Sequence, residues 1–486
     1  MKIVFLYPRW TGDYTGIAKY FARRAGGTYP PLNLGALAAI SENCGMDSEI
    51  IDAEALHLSA SDLVSQAMQK SADIFVLTGM SPFFHLSVEV AEKLRVAGSK
   101  TPICIGGQHI TIVEEKGFKA VFDFGFVGEG EESWPVFLNA LEGACDFSQV
   151  PGLIYRDGQE VKKNPRTNAS KNLDIYPWPA RHLLPMNSYR LGTLRGRLPF
   201  TTIQTIRGCP WKCIFCASDQ LETTRIAKRS IPSVLSEIEH VVETWNTRHF
   251  MIVDDVLTLK RNRTIEFCNS IIDRKIDITF EGSTRANLVD DELLELMKEA
   301  GLIRLSFGLE TVDEEMRKTM NKKVPLEAYR EANLLCNKHN IEALNSVMIG
   351  LPGETRENVR QTLRFLRQSR EVKQANFAIA TPYPGTAFYE MAIGEGQGVD
   401  LVIDDFSQYK RYGQAVTKVG DLTPADLVEL QNEGFVSVYS APWRWLPVLK
   451  KNGVIGLLLT FVRLFKMLTI RARRKLGART IHPSLQ

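Results

Sequence analysis

The sequence predicts two α/β units in series, a doubly wound Rossmann-like open sheet and then a partial (β/α)6 barrel of the TIM type, followed by a basic helical segment. Three observations lead there. Short apolar runs rich in Val, Ile and Phe alternate with helical patterns over about the first 140 residues, the signature of parallel βαβ units. The same alternation resumes near Thr201 and gives six strand–helix units. From Gly434 to the end there is no Asp or Glu, while ten Lys and Arg follow Trp443.

Length and composition bound the answer. A chain of 486 residues accommodates about two to four domains. An apolar fraction of 44% and an aromatic fraction of 9% suffice for ordinary cores. The first ten residues, "MKIVFLYPRW", have too short an apolar run for a signal peptide. Eight cysteines in such a length are too sparse for a secreted disulfide framework, so a reducing cytoplasm is expected. The boundaries read from the chain are 1–145 for the first unit, 146–198 for a linker, 199–400 for the barrel and 401–486 for the C-terminal segment.

In the first unit, "KIVFLY", "SEIIDAE", "DIFVLTG", "TPICIGG" and "AVFDFGFVG" are the strands, with helices such as "LGALAAISENCG" and "HLSVEVAEKLRVAG" between them. Ligands of such sheets bind outside the C-terminal ends of the strands. The loops there are "TGMSPFF", "GGQHIT" and "GEGEES". They make Gly79, Gly106, Gly107, His109, Gly128 and Glu129 candidate contacts, because glycine lets the backbone approach a bulky ligand. For any one loop a tight turn is the simpler account; three on one sheet edge point to a ligand. Next comes a polar stretch that begins at Asn164, carries prolines at 165, 177, 179 and 185, and reads as the linker.

The barrel strands are "TTIQTI", "HFMIVDD", "ITFEG", "IRLSFG", "ALNSVMIG" and "ANFAIA". Six units in about 190 residues are too few for an eightfold barrel, so an open one is expected, with its chemistry at the C-terminal strand ends. Cys209, Cys213 and Cys216 leave the first of these strands with C-x3-C-x2-C spacing. A structural zinc site takes four protein ligands in paired C-x2-C units, and no second pair is present. A thiol redox pair needs two cysteines. Three thiolates can hold a 4Fe-4S cube by three corners and leave the fourth iron open. Cys44, Cys104, Cys145, Cys268 and Cys336 are scattered.

The cysteine loop "RGCPWKCIFC" resembles that of the radical S-adenosylmethionine superfamily. The resemblance implies that the open iron binds the amino and carboxylate groups of S-adenosylmethionine, which is then cleaved by one electron to methionine and a 5′-deoxyadenosyl radical. It implies that Phe215 lies against the adenine, that Asp254 and Asp255 contact the methionyl amino group, and that Arg285 pairs with its carboxylate. Glu310 falls near the ribose or sulfonium, and Met348, in "SVMIGLPGET", lines the adenine with "ATPYPGT". In the first unit "PPLNLGALAA", "IGGQHIT" and "FVGEGEESW" resemble the cobalamin-binding domain that precedes the barrel in one branch of this superfamily. Cobalamin domains that ligate cobalt through His carry Asp-x-His-x-x-Gly, and none of the eight histidines has that setting. Cobalamin without a protein His on cobalt is therefore implied.

The function implied is methyl transfer to an unactivated carbon of an apolar substrate, lipid or tetrapyrrole. The alternatives are oxidative ring closure, as in the anaerobic magnesium-protoporphyrin monomethyl ester cyclase, and a non-catalytic cobalamin or redox sensor. The implied partners are a small-molecule substrate and an electron donor such as flavodoxin or ferredoxin, with no nucleic acid. The stretch from Asn452 to Lys475 reads as an amphipathic helix, too interrupted by charge to span a bilayer. It is expected on the inner face of a membrane, or else packed on the open side of the barrel.

Overall fold

The computed structural model describes residues 1–11, 27–191, 199–221 and 226–445. The expected amphipathic helix at 452–475 lies outside the described residues. Among the described residues no helix is long and apolar enough to cross a membrane.

The first unit is built on β1 (Lys2–Tyr7), β2 (Asp47–Asp52), β3 (Ile74–Thr78), β4 (Ile103–Gly106) and β5 (Phe124–Phe126). These five are parallel in the order β2-β1-β3-β4-β5. Ile3, Val4, Phe5 and Leu6 of β1 are all fully buried, on both faces. An unbroken apolar run is what a parallel strand covered by helices on each side requires. Each such side chain stabilises the fold by about 1.5–3 kcal/mol relative to exposure. The chain order reverses between β1 and β3, which is where ligands of this topology sit.

The structure corrects one boundary. β6 (Leu153–Asp157) and β7 (Glu160–Lys163) lie within the expected linker, yet they form an antiparallel hairpin that extends the sheet beside β5. Asp157 pairs with Glu160, so Gly158-Gln159 makes the two-residue turn, with Gly158 at φ +63°. Downstream of Asn164, residues 173–175, 181–183 and 186–188 form single 3-10 turns, and the Pro-rich stretch is otherwise irregular.

The second unit contains β8 (Thr201–Ile203), the short antiparallel pair β9 (Ile206–Arg207) and β10 (Ala227–Lys228), then β11 (His249–Ile252), β12 (Thr279–Thr284), β13 (Leu302–Glu310), β14 (Glu342–Ile349) and β15 (Gln374–Ile379). The barrel sheet is six-stranded and parallel in chain order, β8-β11-β12-β13-β14-β15. Every expected strand is present. On β14, Ala343, Asn345, Val347 and Ile349 are buried, whereas Leu344, Ser346 and Met348 are half-buried. That alternation sends one face to the surrounding helices and the other to the lumen.

A hairpin, β16 (Val399–Leu401) with β17 (Thr417–Val419), and the helix Pro424–Tyr439 follow. The helix presses so closely on β15 that a Cβ at Gly434 would stand 2.8 Å from the Phe377 ring. Arg444 is buried and donates to the carbonyls of Val438 and Val372 at 2.9 and 2.8 Å. Its guanidinium stacks on Trp443 at 3.9 Å, and Trp445 Nε1 donates to the Tyr439 carbonyl at 3.3 Å. These groups fasten the start of the C-terminal segment to the barrel wall.

Candidate active site

The cysteine loop begins where β8 ends. Asp254, just past β11, accepts hydrogen bonds from Thr205 N (2.6 Å), Thr205 Oγ1 (2.6 Å) and Ile206 N (3.0 Å). Three donors on one buried carboxylate pin the root of the loop, so Asp254 acts as a brace. Its neighbour Asp255 is exposed and accepts from Ser218 Oγ at 3.1 Å. The strand alternation therefore separates the two expected contacts, and Asp255 is the one that faces the site.

Farther along, Ile214 N donates to Met320 O (3.2 Å) and Asn321 Nδ2 to Lys212 O (2.7 Å). Phe388 N donates to Ile214 O at 2.9 Å. Cys209, Cys213 and Cys216 are half-buried, while Cys268 and Cys336 are fully buried in the helices Arg261–Asp273 and Leu326–Lys338. Among the described residues no three His, Cys, Asp or Glu side chains close around a single metal ion. Three free thiols on one loop, with no fourth thiol beside them in the sequence, fit a polynuclear cluster with one open corner. Burial pushes the Cys213 thiol up, opposed by the cations Lys322 and Arg285.

Arg285 follows β12 and is 7% exposed. Its guanidinium lies 4.2 Å over the Trp211 ring, and its Nε and Nη2 have no hydrogen-bond partner. A buried cation with unpaired donors is the complement of an anion. Glu310, at the end of β13, adopts φ +61° beside a break in register with β14. Such a conformation is costly for a non-glycine residue and clusters at functional sites. Glu310 pairs with Lys322 at 3.0 Å, directly above Gly308. A Cβ at Gly308 would collide with the Glu310 carboxylate and stand 2.6 Å from Lys322 Nζ. Lys322 also lies 5.8 Å from the centroid of Phe215, which packs half-buried against the barrel core. Met348 looks into the same lumen. Trp211, Gly308 and Lys322 were not among the expected site residues.

The glycine loops line a cavity of about 690 Å3 between the first sheet and the barrel. That is within the usual range for cofactor pockets, about 300–1,000 Å3. Gly79, Gly106, Gly107, Gly128 and Glu129 all border it, and Gln204, Arg207 and Val253 border it from the barrel side. Gly107 has φ +96°, and a Cβ there would stand 2.6 Å from Thr78 Oγ1. His109 departs from expectation. It is 3% exposed, its ring centroid lies 4.1 Å from that of Phe84 and 5.2 Å from that of Phe406, and Nδ1 meets Ser81 Oγ at 3.1 Å. Wedged between aromatic rings, it does not reach the cavity, and no histidine among the described residues lines it. Burial, and secondarily Lys119, lowers its pKa to about 4.

The cavity's charges are matched. Arg207 Nη2 bonds Glu131 Oε1 at 2.7 Å, Glu237 pairs with both Arg181 and Arg229, and Arg166 stands 3.9 Å from Glu129. Of the cavity's apolar lining, Met80 and Val253 are 40% and 43% exposed.

The family model described as Radical SAM superfamily matches residues 203–366, and that described as B12 binding domain matches residues 19–138. An uncharacterized methyltransferase of Pyrococcus horikoshii is 28% identical over 422 residues, covering 86% of this chain and 90% of that protein. The anaerobic magnesium-protoporphyrin IX monomethyl ester cyclase of Cereibacter sphaeroides is 26% identical over 485 residues, covering 95% and 75%. The hopanoid C-3 methylase of Methylococcus capsulatus is 28% identical over 308 residues, covering 61% and 57%. Among solved structures, the radical S-adenosylmethionine methyltransferase TsrM of Kitasatospora setae, with cobalamin and a [4Fe-4S] cluster bound, superposes with a TM-score of 0.69. It covers 90% of this chain and 88% of its own at 15% identity, a likeness of fold. With both domains present, in this order and on this architecture, the chain belongs to the radical S-adenosylmethionine enzymes that carry an N-terminal cobalamin-binding domain.

Proposed function

We propose that the protein is a cobalamin-dependent C-methyltransferase acting on an apolar small molecule. The observation that carries this reading is the cavity itself: glycine loops form one wall, barrel strand ends form the other, and the cysteine loop starts at its rim. Cobalamin bound in the cavity, with the cluster and S-adenosylmethionine held beside it in the barrel, would supply hydrogen abstraction and methyl delivery. The chain's own residues bind, orient and exclude water. Cys209, Cys213 and Cys216 hold the cluster. Arg285 offers its unpaired donors to the methionyl carboxylate, and Asp255 receives the amino group. Phe215 and Met348 flank the adenine, and Glu310, fixed by Lys322, faces the ribose. Gly79, Gly106, Gly107 and Gly128 would admit the corrin, and no histidine among the described residues lines the cavity that would hold it.

The substrate class rests on the lining. Its charges are already paired, and the groups left open are Met80 and Val253. Likeness to a hopanoid methylase supports a lipid. Likeness to the cyclase keeps tetrapyrrole ring closure as the second reading. The electron donor in this reading is a flavodoxin or ferredoxin.

Anaerobic turnover with methyl-deuterated S-adenosylmethionine tests the proposal on polyprenoid and tetrapyrrole substrates. A product heavier by one labelled methyl group supports it. An unlabelled product that has lost hydrogen would establish the cyclase reading instead.

A further inference from the structure

Two arginines tie the third glycine loop of the first unit to the two ends of the cysteine loop. Arg207 stands two residues before Cys209 and reaches Glu131 at 2.7 Å, with side chains 17% and 13% exposed. Burial pushes the Glu131 carboxyl up, and Arg207 more than offsets it, leaving the acid below its ordinary range. On the far side of the cysteines, Arg166 Nη2 donates to the carbonyl of Leu221 at 3.1 Å. Leu221 closes the short helix that follows Cys216. The same guanidinium stands 3.9 Å from Glu129, and a Cβ at Gly128 would lie 3.0 Å from its Nε. Each arm thus has one end on "GEGE" and the other on the cysteine loop. Gly128, Glu129, Glu131, Arg207 and Leu221 all border the one cavity.

We propose that Arg207–Glu131 and Arg166–Glu129 are positioning contacts that couple the two cofactor sites, so that cobalamin and S-adenosylmethionine each tighten the binding of the other. The inference rests on the cofactor reading above. A ligand that orders either loop fixes the anchor of the other loop and so removes part of the ordering cost for the second ligand. The charge-assisted Arg207–Glu131 bond, partly buried, is strong enough to carry such coupling, and the Arg166–Glu129 ion pair at 3.9 Å adds to it. Reciprocity is required: the factor by which S-adenosylmethionine tightens cobalamin equals the factor in the other direction. Glu131 and Arg207 touch neither reacting carbon nor metal in this account, and their effect is exerted through the loops.

The experiment uses the full chain with its cluster reconstituted. Cobalamin is titrated by equilibrium dialysis with and without saturating S-adenosylmethionine, and the reverse titration is run with labelled S-adenosylmethionine. The expected mutual tightening is about tenfold, in the ordinary range for coupled sites. E131Q, which keeps shape and loses the charge of one of the two contacts, is expected to cut the coupling factor while iron content stays full. The charge swap E131R/R207E is expected to restore part of it, which mere structural damage would not allow. Wild-type protein that binds both cofactors without coupling, or E131Q protein that retains the factor, would overturn the inference and leave the functional reading standing. Wild-type protein that takes up neither cofactor would overturn both.

Discussion

Replacing Arg285 with Gln is expected to move stability and binding in opposite directions. The guanidinium is 7% exposed, and two of its nitrogens lack partners. An unsatisfied buried polar group costs about 1–3 kcal/mol. The stack on Trp211 at 4.2 Å returns about 0.5–2 kcal/mol. The ligand-free fold therefore keeps Arg285 at no net benefit, or at a cost of about 1 kcal/mol. R285Q should melt at the wild-type temperature or slightly above it. Binding of S-adenosylmethionine should fall, because hydrogen bonds between charged groups contribute about 1.5–3 kcal/mol each. A forked pair of two such bonds, about 3–6 kcal/mol, then corresponds to a loss of about 10²- to 10⁴-fold. R285K should recover part of the loss, since it keeps the charge without the fork. The assay is equilibrium binding of S-adenosylmethionine to cluster-loaded protein, beside a thermal melt. Wild-type affinity in R285Q, or a large drop in its melting temperature, would refute the assignment of this group as an anion clamp.

Replacing Cys209, Cys213 and Cys216 with Ala should abolish iron binding of about four atoms per chain, read by iron analysis and the visible charge-transfer band; Cys268→Ala, in a helix core, should leave iron content unchanged. Gly308→Ala should displace the Glu310–Lys322 pair, because the new Cβ would stand 2.6 Å from Lys322 Nζ; S-adenosylmethionine binding should weaken while iron content holds. His109 is kept neutral in the fold, with its pKa lowered to about 4. Its unfolded form takes up a proton near pH 6.5, so stability should fall as pH drops from about 6.5 toward 4, by about 3 kcal/mol at most. His109→Phe should flatten that limb in denaturant melts across pH, and an unchanged limb would show that other groups set it.

The strands were legible because a parallel sheet between helices demands unbroken apolar runs, as in "KIVFLY", and a barrel strand alternates a buried face with a lumen face, as in "IRLSFG". The proposed cluster site was legible because its three candidate donors are local in sequence. The rest of the site is assembled from distant residues. Arg207 and Glu131 are 76 positions apart, and no spacing rule joins them. Asp254 and Asp255 are neighbours whose roles diverge through strand alternation, which the short motif does not reveal. His109 sat in a glycine loop as a ligand would, but the aromatic rings of Phe84 and Phe406 that enclose it come from elsewhere in the chain. The hairpin at 153–163 did carry a signal, Gly158 opening a two-residue turn with Gln159, which the downstream prolines overshadowed.

The most direct test of the central claim counts two nucleosides from one anaerobic reaction. Cluster-loaded protein is given cobalamin, S-adenosylmethionine and a low-potential reductant, and 5′-deoxyadenosine and S-adenosylhomocysteine are quantified together. Radical methyl transfer predicts that both form, and that 5′-deoxyadenosine disappears when Cys209, Cys213 and Cys216 are replaced. A fully loaded protein that releases neither product would contradict the account.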